Sequence, residues 1–241
     1  SGSSSEPAEE AAADIRTAGG TAQASMTDVG DPDQARRLVD GTIERFGKLD
    51  ILVNAAGILG HGGILDVTDR DWREVLRVNL TGTFNTTRAA AAHWQSIRAG
   101  GRLINLGSDA GFYGVPDEVA YSASKAGIEG FTLSCAASLR DIGVTCNVVH
   151  PQALTRLTAS IPIEKRPDPQ RWMTDEFDPA NVAPALIYLA SDEAGWITGR
   201  TLACFGYEIH LYSAPARVRS LYSPGPWDID VLFERFRPSL G

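Results

Sequence analysis

Three short apolar runs, each followed by a segment with helical periodicity, constrain the fold of this chain more than any other feature. The runs are Leu49–Val53, Arg102–Leu106 and Val144–Val149. Nearly continuous apolar stretches of this length are typical of parallel strands that are buried on both faces of a sheet. Because helical segments alternate with them, the pattern predicts an α/β fold with a doubly wound parallel sheet and right-handed crossovers.

The same pattern predicts further elements at either end of the chain. We expect a strand at Thr21–Met26, which delivers Asp28 to its end, and a last strand at Arg200–Phe205. Capping residues and proline predict that helices begin near Glu6, Asp31, Thr68, Tyr121 and Asp178. The proline-rich stretch Pro151–Asp178 has the composition of a flexible cap.

Length and composition favour one domain and exclude several classes of partner. We assign residues 1–205 to the domain and residues 206–241 to a C-terminal extension that packs on it or on a subunit interface. The formal net charge of −8 argues against nucleic acid. Three scattered cysteines predict a reducing, cytoplasmic setting without disulfides, and the four histidines lack metal-ligand spacing. No apolar run is long enough to span a membrane, and no signal peptide is visible.

The stretch from Ser108 to Lys125 carries the candidate chemistry. Tyr121 and Lys125 are four residues apart, so on a helix the phenol and the ammonium lie on one face. A nearby cation favours the phenolate, which is how we expect Lys125 to lower the pKa of Tyr121. Such a pair also arises by accident, but here Ser108 follows a buried strand, and ligands bind at the carboxyl ends of strands in an open α/β sheet.

Four motifs together resemble the short-chain dehydrogenase/reductase family. They are the turn Asn54-Ala55-Ala56-Gly57, the helical Arg77-Val78-Asn79-Leu80, the serine Ser108 thirteen residues before Tyr121, and Tyr121-Ser122-Ala123-Ser124-Lys125. The resemblance runs from about Gly20 to Gly206. It implies a Rossmann-like sheet of strand order 3-2-1-4-5-6-7.

The resemblance implies a role for each of the four catalytic residues. Tyr121 exchanges a proton with the substrate oxygen while a nicotinamide exchanges a hydride with its carbon, and Ser108 hydrogen-bonds that oxygen. Lys125 binds the nicotinamide ribose and lowers the tyrosine pKa. Asn79 holds a water in a proton relay, although an asparagine that merely kinks a helix is the alternative.

The cofactor implied by the resemblance is NAD or NADP. Its expected contacts, in addition to Tyr121 and Lys125, are Asp28, Val29, Asn54, Ala55, Ala56, Gly57, Pro151 and Thr155. Gly57 allows close approach of the backbone because it lacks a side chain. A strand-end cap is the alternative for Asp28. Gln152 stands where the family has glycine, which puts the geometry of that loop in question.

One family motif is missing from the sequence, and this motif normally binds the pyrophosphate. The Thr-Gly-x-x-x-Gly-x-Gly turn is absent, and with it the first strand, first helix and second strand of the family fold. Since two empty slots in a sheet leave backbone groups unpaired, we expect an upstream segment that is unrecorded, cleaved or supplied by another chain.

Two functional hypotheses follow. The first is an NAD(P)-dependent oxidoreductase that interconverts a secondary alcohol and a ketone, acts on small molecules and forms a homodimer or homotetramer. The Gly/Ser-rich opening resembles the hydroxyacyl-CoA and steroid dehydrogenase branch related to multifunctional enzymes, which implies a hydrophobic or thioester-linked substrate. The alternative is a degenerate scaffold without dinucleotide binding that acts as a cofactor-free cyclase, lyase or binding protein.

Overall fold

The structure is a computed structural model that describes residues 5–159, 172 and 174–240. Its α-helices are α1 (Glu6–Thr17), α2 (Pro32–Phe46), α3 (Asp69–Val75), α4 (Gly82–Ile97), α5 (Ala110–Tyr113), α6 (Val119–Ser138), α7 (Arg156–Ala159), α8 (Ala183–Ala190) and α9 (Ile229–Leu240). A π-helix, Leu76–Thr81, joins α3 to α4. The strands are β1 (Ile51–Asn54), β2 (Gly101–Leu106), β3 (Val144–Gln152), β4 (Thr201–Phe205) and β5 (Glu208–Leu211).

The five strands form one sheet in the order β1-β2-β3-β4-β5. The first four are parallel, and β5 pairs antiparallel with β4. The parallel strands thus reproduce the 4-5-6-7 part of the expected order, and the α/β prediction is confirmed. The sequence pattern did not predict β5, which lies in the C-terminal extension.

Helices cover both faces of the sheet. Neighbouring residues of β2 point to opposite faces, so each packs against a different set of helices. Leu103 packs on one face against α4 and α6, in a cluster with Trp94, Cys135 and Cys146. Ile104 packs on the other face in a cluster with Val149, Ala185, Leu189 and Cys204, to which α8 contributes. The cysteines at positions 135, 146 and 204 are buried and free.

The predicted strand at Thr21–Met26 is wrong. This segment has no strand, and all six of its residues are exposed or half-buried. A strand needs a hydrogen-bonded neighbour, and among the described residues β1 pairs with β2 alone. The predicted helix at Asp31 is confirmed, since its carboxylate accepts hydrogen bonds from the backbone N–H groups of Asp33 and Gln34 at the start of α2.

The predicted cap lies partly outside the described residues, which omit 160–171 and 173. Its described part comprises the end of β3, the short helix α7 and the 3₁₀ turn Asp175–Phe177, and a second 3₁₀ turn, Pro179–Val182, follows it. Within the described ranges, none of the helices has the length and apolar character needed to cross a lipid bilayer.

Candidate active site

The three residues at the centre of the sequence prediction lie together at the carboxyl end of β2. Ser108 lies two residues beyond this strand, and its hydroxyl is close enough to the phenol of Tyr121 to act on the pKa of that phenol. Tyr121 and Lys125 lie on the same face of α6, with the ammonium 5.6 Å from the centre of the phenol ring. Gly111 lets α5 pack directly on α6, because a Cβ there would lie 2.7 Å from the backbone nitrogen of Ala126.

Lys125 is buried, with only 6% of its surface exposed. Its Nζ donates a hydrogen bond to the carbonyl of Leu106, 2.7 Å away. Burial lowers the pKa of Lys125 to about 8, and the carboxylate of Glu129 partly opposes this shift. The lysine can therefore change its charge close to neutral pH.

Tyr121 differs from the prediction in one respect. We expected a lowered pKa, but burial raises the pKa of this phenol, and only the hydrogen bond with Ser108 acts in the opposite direction. The physical reason is that Lys125 directs its ammonium at a backbone carbonyl and lies over the ring, while desolvation penalises the phenolate. In this state Tyr121 is a proton donor at neutral pH.

Asn79 is fully buried inside the π-helix. Its side-chain oxygen accepts from the N–H of Ile58 at 2.8 Å, and its side-chain nitrogen donates to the Ile58 carbonyl and to Ser124. Asn79 therefore joins the loop after Gly57 to α6, one residue away from Lys125. Its role in a water-mediated relay stays a prediction.

The Asn54–Gly57 turn leaves the end of β1. Asn54 donates to Asn105 on β2 and to Thr87 on α4, so its side chain joins the end of β1 to both elements. Ala55, Ala56 and Gly57 are exposed. A Cβ at Gly57 would lie 3.5 Å from the side-chain oxygen of Asn79 and 3.9 Å from Nζ of Lys125. The turn therefore leads directly to the ammonium of Lys125.

Asp28 and Val29 lie against the π-helix and α4 without a preceding strand. Both carboxylate oxygens of Asp28 accept from Arg77, at 2.8 and 2.9 Å, and one accepts from the N–H of Gly30. The Val29 carbonyl accepts from Asn85. Asp28 is thus part of an exposed ion pair in a local turn and does not cap a strand end, and its contact with the dinucleotide stays a prediction.

The last residues of β3 reach Asp109, the residue that follows Ser108 in the chain. Pro151 and Gln152 are the last residues of β3, and the Gln152 amide donates to Asp109 at 3.0 Å. Glutamine thus adopts the extended backbone of the strand and gains a partner beside the site. Thr155 is exposed, and its backbone N–H donates to the hydroxyl of Thr158 at 2.7 Å.

Four residues that the sequence analysis did not place in the site border it. They are Asp109, Glu129, His150 and Tyr212, which hydrogen-bond to one another in a network behind Ser108 and Lys125. Two signals were present in the sequence. Asp109 adjoins Ser108, and Glu129 follows Lys125 by one helical turn, which places it on the same face of α6.

The site fits a nicotinamide dinucleotide. The exposed Ala55–Gly57 turn has no bulky side chain, so an open surface of small residues extends to the ammonium of Lys125. In the part of the chain that the structure describes, no group of three or more His, Cys, Asp or Glu residues could hold a metal ion.

This fold and site define the class of protein. The family model described as enoyl-(acyl carrier protein) reductase matches residues 3–206. The chain belongs to the short-chain dehydrogenase/reductase family, whose members are NAD(P)-dependent oxidoreductases that act on CH–OH and ketone groups. The predicted family and enzyme class are therefore confirmed.

Individual relatives cover most of the chain. Hydroxyacyl-CoA dehydrogenase ChsB1 of Mycobacterium tuberculosis is 34% identical, over 93% of this chain and 73% of that protein. Versicolorin reductase stcU of Emericella nidulans is 35% identical, over 84% of this chain and 82% of its own length. A solved short chain dehydrogenase from Mycobacterium avium superposes with a TM-score of 0.86 at 34% identity, covering 96% of this chain and 78% of that one.

Proposed function

We propose that the protein interconverts a secondary alcohol and a ketone on a hydrophobic or thioester-linked substrate, using NAD or NADP. The observation that carries the proposal is the contact of Ser108 with Tyr121, beside the buried ammonium of Lys125. A hydroxyl, a phenol and a cation at one strand end are the groups needed to bind a carbonyl oxygen and to transfer a proton to it.

Each residue has a distinct part in the proposed reaction. In the reductive direction, Ser108 donates a hydrogen bond to the substrate carbonyl, and the phenol of Tyr121 gives its proton to that oxygen as the carbon–oxygen double bond becomes single. The raised pKa of Tyr121 keeps the proton available. Lys125 binds the ribose of the dinucleotide beside this phenol. A bound nicotinamide dinucleotide supplies the hydride, and oxidation reverses these transfers.

Residues of two elements favour a hydrophobic substrate. Phe112 and Tyr113 on α5, which follow Ser108 by four and five residues, and Leu154, two residues after β3, are exposed and offer apolar surface. The similarity to a hydroxyacyl-CoA dehydrogenase over 93% of this chain supports a thioester-linked hydroxy or keto acid.

Residues for binding the dinucleotide are proposed on the same grounds. Lys125 and Tyr121 would contact its nicotinamide ribose. The Asn54–Gly57 turn and the Asp28–Val29 loop would contact its adenosine half. Pro151 and Thr155 would contact its nicotinamide and phosphate.

We also propose a homo-oligomer, which the exposed Phe84 on α4 and Leu133 on α6 support as apolar contact surface. Size-exclusion chromatography with light scattering checks this.

A two-stage experiment tests the function. The native protein is first titrated with NADH and with NADPH by calorimetry, and saturable binding of one of them is expected. Turnover is then measured with a 3-oxoacyl thioester and with the matched free 3-oxo acid, where we expect the thioester to be preferred. No binding of either dinucleotide would remove the redox assignment and favour the degenerate scaffold.

A further inference from the structure

A buried histidine lies between two carboxylates directly beside the catalytic residues. His150 is 1% exposed, with its Nδ1 2.8 Å from Oδ1 of Asp109 and its Nε2 2.5 Å from Oε1 of Glu129. Asp109 is adjacent in sequence to Ser108, and Glu129 follows Lys125 by one turn of α6. We name the three residues Asp109, Glu129 and His150 the histidine cluster.

Every other partner of these carboxylates is a hydrogen-bond donor. The Tyr212 hydroxyl donates to Oδ1 of Asp109 at 2.8 Å, and the Gln152 amide donates to Oδ2 at 3.0 Å. The hydroxyl of Thr201 donates to Oε2 of Glu129 at 2.7 Å. If both carboxylates are ionised and only accept, both ring nitrogens donate to them, and only the imidazolium form of the ring can do so.

Packing fixes the position of the ring and, through it, of the strand end that carries Ser108. A Cβ at Gly107 would lie only 2.6 Å from Nε2 of His150, so the ring rests on this glycine. The ring of Phe112 has its centre 4.9 Å from that of His150. Ser108 therefore lies between one residue that packs on the imidazole and one that hydrogen-bonds to it.

Charge connects the cluster to the second half of the site. The Glu129 carboxylate acts on Lys125 and favours its ammonium form against burial. Burial disfavours a charged His150, but the hydrogen bonds with Asp109 and Glu129 outweigh it and raise the pKa of the ring. The titratable and charged groups around the cluster are Asp109 before α5, Tyr113 on α5, Lys125 and Glu129 on α6, Arg200 before β4, and Tyr212 after β5.

We propose that His150, held as an imidazolium between Asp109 and Glu129, is a positioning residue that fixes Ser108 and, through Glu129, keeps Lys125 charged. The kinetic part of this proposal rests on the proposed function. Two carboxylates and one imidazolium leave a net charge of −1 behind the lysine. That charge offsets the cost of burying the ammonium where the substrate oxygen gains its proton.

The charge of His150 can be measured without any variant of the cluster. The native protein is labelled with ¹⁵N-histidine, and long-range proton–nitrogen correlation spectra report the protonation of each ring nitrogen. The chain has only four histidines. Removing the other three one at a time, as His61→Gln, His93→Gln and His210→Gln, assigns the signals with the cluster intact. We expect both nitrogens of His150 to carry protons at about pH 7 and above. A neutral tautomer there overturns the proposal.

Glu129→Gln and a matched control distinguish a positioning role of the histidine cluster from a purely structural one. Losing one of two carboxylate partners lowers the titration midpoint of His150 by roughly 1 to 3 units. It also lowers kcat for ketone reduction on the order of tenfold, with dinucleotide affinity largely retained. Glu208→Gln is the control, because Glu208 pairs with the exposed His210 at 3.0 Å. Neither value should change in the control.

The outcomes distinguish failure of this proposal from failure of the proposed function. Glu129→Gln with an unchanged His150 titration and an unchanged kcat overturns the positioning role while the enzyme remains active. A native protein with a doubly protonated His150 but no dinucleotide-dependent turnover overturns the proposed function, and the kinetic part of this proposal with it.

Discussion

The two halves of the sheet differ in how completely they are packed. In the half formed by β2, β3 and β4, residues such as Leu103, Ile104 and Val149 are buried between helices on both faces. In β1, Ile51 and Val53 are each 41% exposed. The proton-transfer residues lie on the packed half, and most residues proposed to bind the dinucleotide lie on the open half.

The exposure of β1 follows from strand pairing, because among the described residues β1 is an edge strand that pairs with β2 alone, and the two halves also have different proposed tasks. Transfer of a proton needs fixed distances and a site from which water is largely excluded, so its groups belong where packing restricts movement. A large cofactor must enter and leave, so its surface is open and built of small residues such as Ala55 and Gly57. The comparison predicts that substitutions in the packed half alter chemistry and stability, whereas those in the open half alter binding.

The largest expected effect is on the packed half, at Tyr121. Removing its hydroxyl in Tyr121→Phe deletes the proton donor, so we expect turnover to fall on the order of a thousandfold while dinucleotide affinity is retained. Steady-state rates and calorimetric titration measure the two quantities. Tyr222→Phe, at an exposed tyrosine, is the control. Equal turnover in Tyr121→Phe and the native protein would refute the role of the phenol.

The second prediction concerns pH and Lys125. Its pKa in the folded protein, about 8, lies below the ordinary 10.5, so between these values the unfolded chain binds more protons than the folded one. The free energy of unfolding of the native protein, relative to Lys125→Met, should therefore rise with pH across this window, by up to about 3 kcal/mol. Urea denaturation of both proteins at several pH values measures it. A difference that is flat or falls with pH would contradict the burial of a charged lysine.

Two valines test the packing of the halves directly. Val149→Ala in β3 creates a cavity between helices and should lower the free energy of unfolding by about 2 to 3 kcal/mol. Val53→Ala in β1 makes the same chemical change where the side chain is 41% exposed, and should lower it by about 1 kcal/mol or less. Equal losses in urea denaturation would show that β1 is as well covered as β3.

Gly57 tests whether the open half binds the dinucleotide. In Gly57→Ala the new methyl lies 3.5 Å from Asn79, an ordinary contact, so stability is expected to be retained. The methyl occupies surface proposed for the dinucleotide, and we expect its Kd to rise about tenfold, which corresponds to about 1.4 kcal/mol. Gly130→Ala on α6, where a Cβ meets nothing within 4 Å, is the matched control. Similar Kd values in both variants would exclude Gly57 from the binding surface.

The smallest effect is expected at Asp28. Its ion pair with Arg77 is exposed, so Asp28→Asn should change the free energy of unfolding by less than about 1 kcal/mol. If Asp28 accepts a hydrogen bond from the dinucleotide, the Kd rises by about fivefold. Glu74→Gln removes the other carboxylate bound to Arg77 and serves as the control. A Kd that changes equally in both variants would assign the effect to Arg77.

Much of the fold was predictable because its signals are local. The apolar runs at β1, β2 and β3 identified strands that the structure contains, and the spacing of Tyr121 and Lys125 placed both on one face of α6. Thr21–Met26 was predicted as a strand by the same kind of signal, but it has none. A local pattern shows that a segment can form a strand, whereas a neighbouring strand decides that it does.

The sequence by itself determined which chemical groups meet at the site, because helical periodicity and strand ends place Ser108, Tyr121 and Lys125 at fixed intervals. Only the tertiary structure decided their environment: the buried lysine, the raised pKa of Tyr121 and the histidine between two carboxylates. The physical reason is that burial and hydrogen-bond partners come from segments far apart in the chain. His150 meets Asp109 across 41 residues, and Tyr212 reaches Asp109 across 103.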